Sequence, residues 1–432
     1  MEKLFKLKAH GTTVKRELLA GLTTFFAMAY IIAVNPNFLS TTGMDFNAVV
    51  LATCISAGIG CLLTAFIANV PFAQAAGMGL NTFFAFTVCG SMGYTWNQAL
   101  TIVLISGFLF LIVTISPLRK TVIAAIPAPL KSAIGVGIGL FLAYIGLVDS
   151  GIATFNGVPA MGNITGGSAL LCLIGVIVTA VLMVLKVKGA IVLGIVVSTL
   201  VGIPMGLTFL PESFTFSASL APTFFAFDFK FLTTTAILPL ITAIISFAIV
   251  DMFDTVGTLI AAADQADMID KDGNLRGGDK ALIADAIATC AGACLGTSTV
   301  TTYIESSTGI SEGGRTGLTA MTTGLLFFAA CILAPVIGII PRAATCPAVV
   351  IVGVLMMSSV KKIDWSDFEA ALPAFLTIAM MPFTYSIANG IGFGFISYTL
   401  LKVCHGKAKE VSATMYVLTA IFIAKFVLSG LM

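Results

Sequence analysis

Asp251 and Asp254 lie in Ile249-Val-Asp-Met-Phe-Asp-Thr-Val-Gly-Thr258, Glu305 closes Thr301-Thr-Tyr-Ile-Glu305, and Asn81 ends Gly77-Met-Gly-Leu-Asn81. These stretches are too apolar to hold such residues without a reason, and Asp285 is another acid of this kind, nearer the end of its run. A charge at a bilayer centre costs at least ~2.5–3.5 kcal/mol on insertion scales, so acids at that depth face an interior and usually act. A spacing of three places Asp251 and Asp254 on one helix face. Two carboxylates that close in a low dielectric do not both ionise freely. A carboxyl able to hold a proton near neutral pH is what a proton-coupled carrier needs. Capping of backbone, or bonding to Thr255 and Thr258, is the plainer role for the pair. The lack of an intramembrane Lys or Arg beside it favours function. Glu305 falls in the first turn of a short helix, where the dipole suits an acid, and is placed to accept from a bound solute. Asn81 offers both amide donors and a carbonyl, against the plainer reading of an interhelical bond.

The elements that must position these residues are membrane helices. Of 432 residues, 58% are hydrophobic and only 10% charged, with a mean hydropathy of +1.07. Soluble domains run about 25% charged, and a span takes ~20 apolar residues, so the chain has room for roughly fourteen spans. That excludes a nucleic-acid binder, a secreted disulfide scaffold and a soluble enzyme. His10 and His405 lie in polar segments, so histidine supplies no metal site inside the membrane. Cys290 and Cys294 share a helix face but have no further ligand nearby and read as packing residues. The sequence has no Walker-type phosphate loop, and no Ser/His/Asp or Cys/His set falls within the spans. An intramembrane aspartyl protease would draw its two acids from different spans, whereas Asp251 and Asp254 share one. The Gly135, Gly137, Gly139 series lies inside an apolar run and reads as close helix packing. The basic N-terminus leads into a long span without a small-residue cleavage site, which reads as no signal peptide.

Apolar runs give seven spans, a polar joint from Pro211 to Lys230, seven more spans, and a further stretch at 411–431 that is either an extra terminal helix or a boundary error. With the N-terminus in the cytoplasm, all Lys and Arg except Lys230, Arg342 and Lys425 fall in cytoplasmic loops, as the positive-inside rule requires. An odd number of spans per half inverts the second copy, which predicts two inverted repeats, 1–210 and 230–432, with a site where broken helices meet. The third run (77–92) and the tenth (304–312) are too short or too glycine-rich to cross ~30 Å as ordinary helices. Each follows an extended-looking preamble, Pro71 to Ala76 and Gly296 to Tyr303; Thr/Val-rich runs favour extended backbone. The expectation is an all-α polytopic membrane protein, with short strands preceding half-helices in spans 3 and 10.

The chain resembles the nucleobase:cation symporter family of xanthine, uracil and purine permeases, and most closely its AzgA-like adenine/guanine/hypoxanthine branch. The marks are Phe26-Ala-Met-Ala-Tyr-Ile-Ile-Ala-Val-Asn-Pro36, Pro71 through Asn81, Asp251-Met-Phe-Asp-Thr-Val-Gly-Thr258, and Gly296 through Glu305 followed by Glu312-Gly-Gly-Arg-Thr-Gly317. The family's Glu-x-x-Gly is matched by Asp254-Thr-Val-Gly257 with Asp for Glu, and its Thr-Thr-Tyr-x-Glu is intact at Thr301 to Glu305. The resemblance implies fourteen spans in a core (spans 1–4 and 8–11) and a gate (5–7 and 12–14). It implies a purine nucleobase taken up by proton symport, bound by Asn81, Asp251, Asp254, Thr302, Tyr303 and Glu305. Asp251, Asp254 and Glu305 would carry the coupling. It implies no enzyme activity and no cofactor beyond the coupling proton. The setting is the inner (cytoplasmic) membrane in contact with lipid, with a homodimer left open. Another solute on the same fold, xanthine, uracil or an inorganic anion, is the alternative; an intramembrane hydrolase is weaker still.

Overall fold

The first span does not run straight. Helix α2 (Val14–Met28) stops at a turn through Ala29 and Tyr30, and α3 (Ile31–Leu39) carries Pro36 inside it. A proline there removes one backbone donor and crowds the preceding turn. The computed structural model describes residues 1–116, 125–155, 159–209, 219–233, 237–264, 268 and 276–431. Arg119, Lys120 and Lys271, counted above for orientation, lie outside these residues, as does the part of the Pro211 to Lys230 joint up to residue 218.

A short α1 (Glu2–Phe5) precedes the first span. Helix α4 (Phe46–Leu63) is capped by the Asp45 carboxylate, which accepts from the Ala48 amide at 2.8 Å. Strand β1 (Gln74–Ala76) leads into α5 (Met78–Thr82), which continues in wider, π-type turns from Phe83 to Ser91. Helix α6 (Trp96–Ile115) opens on a capping box of Thr95 and Gln98. Then come α7 (Ala128–Asp149), the hairpin β2 (Ala153–Phe155) and β3 (Pro159–Met161), α8 (Gly167–Val184) and α9 (Ala190–Gly202). The second half holds α10 (Ile237–Asp264), α11 (Gly278–Leu295), β4 (Val300–Thr302), α12 (Ser306–Ser311) and α13 (Gly317–Ala330). It ends with α14 (Ala334–Ile337), α15 (Arg342–Met356), α16 (Phe368–Phe383), α17 (Ile387–Cys404) and α18 (Ala413–Leu431).

Among the described residues nine helical stretches are long and apolar enough to cross a membrane, and Ala190–Gly202, Phe368–Phe383 and Ala413–Val427 are shorter apolar helices. This is a multi-pass helical membrane protein. Its helices pack as two bundles. In one, α4 lies on α11 and α13, α6 on α10 and α11, and α2 on α13. In the other, α7 lies on α15 and α16, α8 on α9 and α15, and α16 on α17. Glycine sets a close crossing in the second bundle. A Cβ on Gly139 of α7 would stand 2.6 Å from the Gly353 carbonyl oxygen, and one on Gly353 of α15 would stand 2.4 Å from that of Gly139. Of the glycine series in α7, Gly137 and Gly139 make such contacts, while a Cβ on Gly135 would meet nothing within 4 Å.

A seam of rings joins the bundles. Tyr385, between α16 and α17, has φ 51° and sets its ring against Phe86, Phe141 and Tyr144 at centroid distances of 6.0, 5.4 and 5.7 Å. Phe38 of α3 stands edge-on to Phe86 at 5.7 Å, and the Thr87 hydroxyl donates to the Tyr385 carbonyl at 3.1 Å. Close to this seam in the chain, Arg342 at the start of α15 pairs with Asp149 at the end of α7 at 2.5 Å.

Candidate functional site

The strand-bearing bundle places its polar residues where the two extended segments cross. β1 and β4 pair antiparallel in the register Gln74 to Thr302, Ala75 to Thr301 and Ala76 to Val300. Amides beyond the strands extend the ladder, Gly77 to the Thr299 carbonyl and Tyr303 to the Ala73 carbonyl, each at 3.0 Å. The segment from Gln74 to Ala76 is buried throughout, as is that from Val300 to Thr302. Extended backbone there keeps its donors and acceptors satisfied only because the strands pair with each other. Gly77 is required where α5 meets β4, since a Cβ on it would fall 2.3 Å from Thr301 Cγ2.

Side chains alternate across a strand, and the alternation divides the acids. The Thr301 hydroxyl donates to Asp254 of α10 at 3.2 Å. The Tyr303 hydroxyl donates to the Ala76 carbonyl at 2.6 Å, and its ring lies 6.4 Å from that of Tyr30. The Tyr30 hydroxyl donates to Glu305 Oε1 at 2.7 Å. Asp254 and Glu305 are half-buried. Thr302 points the other way, its hydroxyl donating to Asp285 of α11 at 3.3 Å. Asp285 is fully buried and also accepts from Thr255 at 2.8 Å and from the Gln74 amide at 3.0 Å. It ties both strands and α10 to α11.

Asp251 and Asp254 have different partners, although both lie on α10. Asp251 is sealed inside, accepting from the Thr289 hydroxyl of α11 at 2.8 Å, and its Oδ1 has no partner among the described residues. Asp254 turns to β4. Asn81 is fully buried; its carbonyl oxygen accepts from the Ser298 hydroxyl and its amide nitrogen has no partner among the described residues. No ion pair among the described residues involves these acids; the Lys131 ammonium instead lies over the Phe253 ring at 5.6 Å.

The structure thus brings Asp254, Tyr303 and Glu305 together, with Asn81 and Asp251 set deeper, and turns the Thr302 side chain away from them. Sequence reasoning passed over Thr301 and Tyr30. Thr301 was recoverable from strand alternation once a partner strand fixed its face. Tyr30 carried no signal beyond a hydroxyl in an apolar span, since its contact with Glu305 joins residues 275 apart.

Comparison with known proteins agrees with this architecture. A family model with the description Permease family, covering xanthine and uracil permeases, matches residues 15–392. The guanine/hypoxanthine permease PbuG of Bacillus subtilis is 43% identical over 439 residues, covering 99% of this chain and 99% of the relative. The adenine permease AdeQ of Escherichia coli is 39% identical over 430 residues, covering 99% and 96%. Among solved structures, the transmembrane domain of the cyanobacterial bicarbonate transporter BicA superposes with a TM-score of 0.67 at 15% identity, over 87% of this chain and 96% of that one. At that identity the likeness is one of fold. A full-length match in sequence and a shared transporter fold place the chain in the permease family of nucleobase:cation symporters.

Proposed function

We propose that the chain imports purine nucleobases (adenine, guanine or hypoxanthine) across the cytoplasmic membrane by proton symport. The observation that carries the proposal is the pair Asp254 and Glu305, two half-buried carboxylates on one side of a strand crossing within an apolar bundle. A neutral purine presents ring N–H donors that carboxylates accept, whereas an inorganic anion would be repelled by both. Full-length relatives named as guanine/hypoxanthine and adenine permeases support the purine class.

In this reading Glu305 anchors the base, and Asp254, held by Thr301, takes a second donor. The unpartnered amide of Asn81 meets a ring acceptor, and the Tyr303 ring bounds the site. Thr302 contributes by fixing the strand through Asp285. Asp251 and Asp254, with Glu305, share proton binding. Symport requires that proton and base raise each other's affinity by the same factor. A proton on one of these acids relieves repulsion around the base-bound Glu305, which supplies that coupling.

The helix contacts support two inverted seven-span repeats, 1–210 and 230–432, with 413–431 added at the end. Contacts in one half have counterparts in the other: α6 on α11 matches α13 on α4, α2 on α13 matches α10 on α6, and α7 on α16 matches α15 on α8. The strand-bearing bundle is then the core and the other the gate, with the N-terminus in the cytoplasm. Labelled adenine, guanine and hypoxanthine uptake into cells or proteoliposomes tests the function. Accumulation that collapses with the pH gradient is expected; uptake of sulfate and not purine overturns the reading. Survival of uptake and its pH dependence in both Asp251→Asn and Asp254→Asn overturns the coupling roles.

A further inference from the structure

Glu305 has one side-chain hydrogen bond to its carboxylate among the described residues, and the donor is Tyr30. Tyr30 sits where the first span breaks, and it is only 2% exposed. The frame that carries the two residues is tight. A Cβ on Gly309 of α12 would stand 2.1 Å from Thr24 Oγ1 and 2.5 Å from the Ala20 carbonyl oxygen of α2. Helix α2 therefore bears directly on the helix that follows Glu305, one turn past it, and the Tyr30 hydroxyl meets Oε1 from a fixed base. Resting on the purine reading above, we infer that Tyr30 is a positioning and specificity residue: it holds one carboxylate oxygen of Glu305 and leaves Oε2 as the oxygen that receives the base.

The chemistry of the purines makes this consequential. Guanine carries two adjacent donors, ring N1–H and the 2-amino group, which fit a carboxylate as a two-pronged fork. Hypoxanthine has N1–H alone on that edge, and adenine has no N1–H there. Forked, charge-assisted pairs are the stronger and more selective ones. With Oε1 engaged by Tyr30, Glu305 meets the guanine fork at a disadvantage and treats guanine and hypoxanthine more alike. Removing the hydroxyl frees the fork.

The test uses the full chain in proteoliposomes, with labelled hypoxanthine uptake competed by unlabelled guanine, hypoxanthine and adenine. Tyr30→Phe removes only the hydroxyl. The expected result is a shift of the guanine-to-hypoxanthine inhibition ratio of about tenfold toward guanine, with KM for hypoxanthine raised and maximal rate per inserted transporter preserved. Tyr30→Leu, which also lacks the hydroxyl, should shift the ratio in the same direction. A purely structural role would lower the inserted amount, or weaken all purines alike, and leave the ratio unmoved; that result overturns the inference. Failure of both variants to insert overturns it as well, because the hydroxyl would then serve folding. If the unaltered protein takes up no purine, the functional reading itself fails.

Discussion

The two sides of the strand crossing hold the same kinds of residue and differ in what is left open. On one, Asp285 accepts from Thr255, Gln74 and Thr302 and is sealed from outside. On the other, Asp254 accepts from Thr301 and Glu305 from Tyr30, and both stay half-buried. An acid in an apolar bundle is thus not by itself a site. A saturated carboxylate is a clamp, since leaving it or its donors unmatched costs about 1–3 kcal/mol per group. A carboxylate with spare acceptors that is not sealed off can receive a ligand. Adjacent threonines fall on opposite sides because a strand alternates, so one residue of register decides which acid is which.

The largest effect should come from Glu305→Gln, which replaces an acceptor-only group with one that also presents donors. Purine uptake should fall about 100-fold at unchanged insertion; a loss under about threefold would erase the distinction drawn above. Asp285→Ala should act on the other side, leaving three donors unmatched. Its expected signature is a melting temperature lower by about 5–10 °C in detergent, with KM unchanged in the protein that remains. A raised KM at full stability would make Asp285 a ligand-binding acid and break the comparison. Paired threonine variants sharpen it further. Thr301→Val should raise KM about fivefold, while Thr302→Val should lower stability and leave KM alone.

The smallest effect separates the site from another titrating group. Burial, with help from the Arg276 guanidinium, holds the His10 ring below its usual range, and the two side chains meet at 2.6 Å. A histidine lowered in the folded state contributes above its unfolded value of about 6.5, and that contribution is lost as pH falls below it. Between about pH 7.5 and pH 5.5 the unaltered protein should lose about 1 °C more in melting temperature than His10→Gln. Uptake should keep the same pH profile in both. If His10→Gln flattens that profile, the coupling does not reside in the site acids.

Much of this was legible in the chain. Pro71 marked the first extended segment because it cannot continue a helix, and the Thr/Val run before Tyr303 marked the second because such residues suit a pleated backbone. The cost of burying charge singled out Asp251, Asp254 and Glu305. That Asp251 and Asp254 take different partners was not legible, since spacing fixes a helix face and not the partners across from it. Asp251 meets Thr289, and Asp254 meets Thr301. Nor was Glu17, which looks like part of a charged leader. It is fully buried and accepts from the Arg315 and Thr319 amides at 2.9 and 3.1 Å, joining the first span to the start of α13. Those contacts bridge about 300 residues of chain, and no local pattern encodes them.

The ring seam around Tyr385 has a mechanical meaning. Edge-to-face pairs hold by about 0.5–1.5 kcal/mol each, and they tolerate a range of offsets without losing a partner. A hydrogen-bonded joint breaks when it slides; a joint of ring edges resists pulling apart but yields to shear. A link across the seam that demands alignment is the Thr87 hydroxyl on the Tyr385 carbonyl, whereas the Arg342 to Asp149 ion pair ties α15 to α7 within one bundle. Where the bundles meet at these rings, the contact therefore resists separation more than it resists sliding.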